Sequence, residues 1–169
     1  MFAQLLFFFF AAVAVAAALG MLVARSPVTS ALWLVLNLFC IAGLYVTLNA
    51  EFLGVIQVLV YAGAIMVLFL FVIMLLNVGA LPAMEQFDWK SALAFLLGMG
   101  VLAQLMYVVA RSAGVLPEPI TGAQAADAGS VNQIARLLFT RYALGLEVIG
   151  ILLLAATVGA VMLAQRRFE

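Results

Sequence analysis

Gln57-Val58-Leu59-Val60-Tyr61-Ala62-Gly63-Ala64-Ile65-Met66-Val67-Leu68-Phe69 lies inside a run that carries no formal charge from Phe52 to Met84. At about 1.5 Å per helical residue, the apolar part of that run exceeds the roughly 30 Å of a hydrocarbon core, so it reads as a membrane span. Its centre is not uniform. Gln57 and Tyr61 stand one helical step apart, and Ala62-Gly63-Ala64 removes side-chain bulk just beyond them. On an ideal α-helix Gly54, Gln57, Tyr61, Ala64 and Leu68 share one face. Polar groups and a weak point at mid-depth suit a helix that works inside a bundle.

The rest of the chain is built for the same solvent. Of its 169 residues 69% are hydrophobic and 8% charged, with a mean hydropathy of +1.34. No soluble core of this length hides so much apolar surface. Zero net charge with seven basic residues leaves nothing for a nucleic-acid partner. A single cysteine, Cys40, allows neither an internal disulfide nor a multi-thiolate metal site. The absence of histidine removes the usual haem ligand, the commonest zinc ligand and the commonest general base. The expectation is an all-α integral membrane protein with no catalytic, cofactor-binding or metal-binding residues of its own.

Hydrophobic runs place five spans, at about Phe2–Ala24, Val28–Leu48, Phe52–Asn77, Ser91–Ala110 and Tyr142–Ala164, in one membrane domain covering residues 1–169. Ala14-Val15-Ala16 resembles a signal-peptide cleavage site. No Lys or Arg precedes that apolar run, however, and Arg25 follows it, which favours a retained span. Ser26 then reads as an N-cap, with Pro27 in the first turn of span two.

Arg25, Lys90, Arg166 and Arg167 fall on one side of this plan. Arg111, Arg136 and Arg141 fall on the other, in or beside the long connection at residues 111–141. The positive-inside rule puts the amino terminus outside and the carboxyl terminus in the cytoplasm. Leu116-Pro117-Glu118-Pro119 in that connection reads as extended, and Thr121-Gly122 through Gly129-Ser130 as small and polar. Ser130 is placed to cap a short amphipathic helix with Val131, Ile134, Leu137 and Leu138 on one face, lying on the membrane or on a neighbouring subunit.

Small residues recur at packing distance: Ala12, Ala16 and Gly20 in span one, Ala155 with Gly159 and Ala156 with Ala160 in span five. Ionisable groups inside spans are costly, so they are functional candidates. Only Glu51, which opens span three, and Glu147, about one and a half turns into span five, qualify. With no carboxylate at mid-depth, a self-contained ion pump is disfavoured. Gln57 and Tyr61 can hold water but do not shuttle protons as carboxylates do.

Glu51 through Asn77, with Val60-Tyr61-Ala62-Gly63-Ala64-Ile65-Met66-Val67-Leu68-Phe69 at its heart, closely resembles the third membrane helix of the subunit J family of bacterial NADH:quinone oxidoreductase, the chain 6 family of mitochondrial complex I. Leu137-Leu138-Phe139-Thr140-Arg141-Tyr142 followed by Glu147 resembles the entry to that family's last helix, although Gly145-Leu146 stands where many relatives have proline and phenylalanine. The resemblance implies a membrane-arm subunit of the bacterial inner membrane, beside subunits of the A, H, K and N type and in contact with quinone only indirectly. It implies that NADH, FMN, iron–sulfur clusters and quinone serve the whole complex while this chain binds none of them. It also implies a π-bulge near Tyr61–Gly63 that gates a water path toward neighbouring carboxylates. Tyr61, Ala62, Gly63, Ala64, Met66 and Phe69 then form the gate, with Glu51, Gln57 and Glu147 as polar support. Two other readings stand beside it: the equivalent subunit of a complex with another electron donor, such as a ferredoxin-fed complex, a membrane-bound hydrogenase or an antiporter assembly; and an independent small transporter or channel.

Overall fold

The computed structural model describes residues 2–76, 89–112 and 127–165, which are helices joined by short turns, with no strand among them. The first two spans are α1 (Phe2–Val23) and α2 (Pro27–Thr47). The third is composite: α3 (Glu51–Ile56), a π-helical segment (Gln57–Ile65) and α4 (Met66–Leu75). Then come α5 (Trp89–Ser112), α6 (Val131–Thr140) and α7 (Ala143–Ala164). Five stretches are long and apolar enough to cross a bilayer: Phe2–Val23, Pro27–Thr47, Glu51–Leu75, Ala92–Arg111 and Ala143–Ala164. Asn77, the Pro117–Pro119 stretch, Arg166 and Arg167 lie outside the described residues.

Local chemistry sets the helix ends. The Ser26 hydroxyl accepts the Thr29 N–H at 3.1 Å, and Pro27, which has no N–H to lose, begins α2. At the other end of α2, Ala50 N–H donates to Tyr45 O and Asn49 N–H to Val46 O. Asn49 holds a left-handed φ of 62°. These paired bonds across a left-handed residue form a Schellman stop, which satisfies the last carbonyls of α2 and turns the chain directly into α3. Asparagine is among the few residues with a side chain that tolerate that conformation.

α2 is the middle of a row, with α1 on one side and the third span on the other. The α1–α2 seam is close. Ala17 is fully buried, a Cβ on Gly20 would meet the Trp33 ring at 2.7 Å, and one on Gly43 would meet Phe10 at 2.8 Å. Two polar side chains of α2 reach backbone carbonyls of α1: Asn37 Nδ2 donates to Ala14 O at 2.7 Å and Ser30 Oγ to Met21 O at 3.0 Å. In a bilayer such inter-helix bonds are worth about 0.6–2 kcal/mol each, a modest sum because a separated helix still finds other partners for the same side chain.

The small-residue stripe of span one faces mostly away from α2. Ala12 and Ala16 are exposed, and only Gly20 of the three turns toward α2. The covered line runs through Phe10, Ala14, Ala17 and Met21 in steps of four, three and four residues, with Val13 partly covered beside it. In a helix that is apolar all round, composition does not say which side meets protein and which meets lipid. The remaining spans look outward: no residue of Ala92–Arg111 or Ala143–Ala164 is buried within the chain. Ala155, Ala156, Gly159 and Ala160 therefore pack on nothing in the described structure and present their small side chains to whatever lies outside.

Candidate functional site

Span three enters the row at Gly54, where an added Cβ would lie 3.0 Å from Val46 Cγ2 and 3.1 Å from the Ala42 carbonyl oxygen of α2. One turn later the hydrogen bonding changes. Gln57 N–H is shared between Leu53 O and Gly54 O, and by the end of the segment Met66 N–H donates to Tyr61 O, five residues back. That i to i−5 bond defines a π-turn, which holds one residue more than an α-turn and is usually confined to a single turn. Here it extends over Gln57–Ile65, well beyond the Tyr61–Gly63 bulge expected from the sequence.

The consequence is a change of face. Gly54, Ala62 and Met66 are buried, with Val58 and Leu70 partly covered between and beyond them. These positions recur every four residues. In an ideal α-helix each such step drifts by about 40°, so Gly54 and Met66 would stand roughly 120° apart. The π-turns absorb the drift and keep the whole line against α2. The α-helical face expected from the sequence, Gly54 with Gln57, Tyr61, Ala64 and Leu68, is therefore corrected beyond Gln57. Tyr61 is 49% exposed, and Ala64 and Leu68 are exposed, whereas Ala62 and Met66 are each only 6% exposed.

The other site residues divide by position. Gly63 faces outward, and the nearest atom to a Cβ there would be the Val58 carbonyl oxygen at 3.3 Å, in the preceding π-turn. A side chain at 63 therefore presses on the backbone of the π-register itself. Val58 was missed in the sequence; the available signal was a glycine five residues after it, the reach of a π-turn. Phe69 is exposed on α4, and Gln57 is half-buried where the π segment starts. Glu51 is exposed in the first turn of α3 and lines a cleft of about 300 Å³ with Asn49, Phe52, Gly129, Ser130 and Val131. Glu147 is exposed on α7, whose main packing within the described chain is against α6, so the structure does not bring it to the third span.

The family model described as NADH-ubiquinone/plastoquinone oxidoreductase chain 6 matches residues 17–163, which include the whole π segment, Glu51 and Glu147. The chain belongs to this family. It is 36% identical over 166 residues to NADH-quinone oxidoreductase subunit J of Rhodobacter capsulatus, covering 95% of this chain and 80% of that one. It is 41% identical over 146 residues to NADH-quinone oxidoreductase subunit 10 of Thermus thermophilus, covering 83% and 77%. A relative with a different name, F(420)H(2) dehydrogenase subunit J of Methanosarcina mazei, is 36% identical over 150 residues, covering 88% and 82%. Membership of this family together with five apolar spans makes the chain a multi-pass membrane protein of an oxidoreductase family.

Proposed function

We propose that this chain is a membrane-arm subunit of a proton-translocating NADH:quinone oxidoreductase, and that it gates a water path at its third span without carrying a redox centre. The observation that supports this best is the π segment Gln57–Ile65, in a chain of this family. α3 is held on α2 at Gly54, so losing the extra residue per turn turns everything beyond it by about 100°. Met66 leaves α2, Tyr61 and Ala64 swing toward it, and Phe69 sweeps across the face offered to neighbouring subunits. Water between this face and those neighbours joins or parts accordingly. Gln57 and the Tyr61 hydroxyl hold such water by hydrogen bonds, and Glu51 and Glu147 lend polar support nearer the surface. The titrating carboxylates belong to partners of the A, H, K and N type. NADH, FMN and the iron–sulfur clusters belong to the rest of the complex, and quinone meets this chain only indirectly.

The second reading keeps the subunit and changes the electron donor, and the likeness to the F(420)H(2) dehydrogenase subunit supports it. Mild detergent extraction followed by identification of copurifying proteins and a donor assay separates the two. The first predicts flavin and iron–sulfur partners with quinone reduction driven by NADH. Activity with reduced F420 alone moves the chain to the second. Substantial proton or sodium transport by the purified chain alone in liposomes would remove both and leave an independent transporter.

The proposed orientation has the amino terminus outside the inner membrane and the carboxyl terminus in the cytoplasm. Cysteines introduced at Ser130 and Gln165 are then expected to differ in intact cells, with only the former reacting with an impermeant reagent. Equal labelling at both would rule the five-span orientation out.

A further inference from the structure

We propose that α6 is a membrane-surface helix whose apolar face rests on phospholipid, not on another subunit. Its two ends fix its attitude. At the carboxyl end, Arg141 N–H and Tyr142 N–H both donate to Leu137 O at 3.0 Å, and α7 starts at Ala143, so this end sits where a span begins. At the amino end, Gly129, Ser130 and Val131 share a cleft with Asn49, Glu51 and Phe52, at the turn between two spans. Both ends therefore stand at the same membrane boundary. A helix about 15 Å long with both ends there runs along the boundary and does not cross it.

The two sides of α6 match the two phases that meet at that level. Asn132, Gln133, Arg136 and Thr140 occupy an arc of about 100°. They are linked lengthwise: Arg136 Nε donates to Asn132 Oδ1 at 3.2 Å, and Thr140 Oγ1 to Arg136 O at 2.6 Å. Val131, Ile134, Leu137 and Leu138 form the opposite side, while Phe139, seven residues after Asn132, stands beside the polar arc. Ile134 and Ala135 are half-covered by the chain, while Val131, Leu137, Leu138 and Phe139 are exposed. The position at the membrane boundary selects the occupant, and the charge along the helix agrees. α6 and the turn after it hold Arg136 and Arg141 and no carboxylate, with Asp127, Glu51 and Glu147 beyond their ends, which suits the phosphates of a lipid surface. Exposed Tyr142 adds an aromatic side chain of the kind that settles at headgroup level.

A photoreactive benzophenone amino acid placed at Leu138, at Leu137 or at Asn132 tests this in the whole complex in native membranes, read by the intact mass of this chain after illumination. Positions 137 and 138 are expected to gain the mass of one phospholipid, and position 132 is not. Leu137 is 44% exposed within the chain, so it carries the test if the Leu138 variant fails to assemble. A crosslink from 137 to another subunit or to a second copy of this chain overturns the proposal, and so does no lipid adduct at 137 or equal adducts at 137 and 132.

Discussion

An assembled complex carrying Gly63→Val should lose about ten-fold or more of its coupled quinone reduction and proton pumping while keeping its subunit composition. The reason lies in the backbone. A Cβ at position 63 comes 3.3 Å from the Val58 carbonyl oxygen, tighter than ordinary contact, and valine adds two γ-carbons that restrict χ1. Overpacking of this kind costs about 1–3 kcal/mol. The contact is made with the preceding π-turn, so the cost falls on the π-register and shifts its balance against the α-helical one. Each 1.4 kcal/mol is roughly ten-fold in such an equilibrium. Gly63→Ala, which adds the Cβ alone, should lie between wild type and valine. Turnover and pumping are measured on membranes whose complex content has been matched by native gel. Full activity in an assembled Gly63→Val complex would leave the π segment with a packing role only.

What the sequence revealed, and what it hid, follows from the solvent. The spans were legible because a bilayer demands long uncharged runs. The starts of α2 and α6 were legible because Ser26 and Ser130 do cap chemistry that depends on neighbours three residues away. The π segment was legible as a weak point, through Ala62-Gly63-Ala64 between polar and bulky neighbours. Its length and inward face were not, because α-helical periodicity carries no sign of an added residue: Ala62 and Met66 displace Tyr61 and Ala64 from α2 only once the turn has widened. The face of α1 was hidden for another reason. Lipid-facing and protein-facing positions are both apolar there, so Ala16 and Ala17 look alike in sequence although only Ala17 is buried. Glu147 stays apart from the π segment for a third, since the surfaces of α5 and α7 are left open to whatever surrounds the chain.

Gly54→Leu should act differently from Gly63→Val, and the contrast tests whether the third span has a fixed end and a moving end. Gly54 is buried, and a Cβ there would lie 3.0 Å from Val46 Cγ2, 3.1 Å from Ala42 O and 3.6 Å from Tyr45 Cβ. Two of these atoms belong to side chains that can rotate or shift a little. Ala42 O belongs to the backbone of α2, whose far side is already engaged by α1 through Asn37 and Ser30. Leucine therefore has to push the whole of α3 outward, which undoes the entry set by the Asn49 turn only five residues earlier. The expected cost is about 1–3 kcal/mol, or more where the helices cannot separate without breaking that turn. It falls on the packing of both registers alike, because Gly54 precedes the π segment. The result to look for is a several-fold fall in the amount of assembled complex and a lower melting temperature, with near-normal turnover per complex that does assemble. If Gly54→Leu left assembly and melting unchanged, α3 would not be pinned to α2. A 100° rotation of α4 would then have no fixed point to turn against.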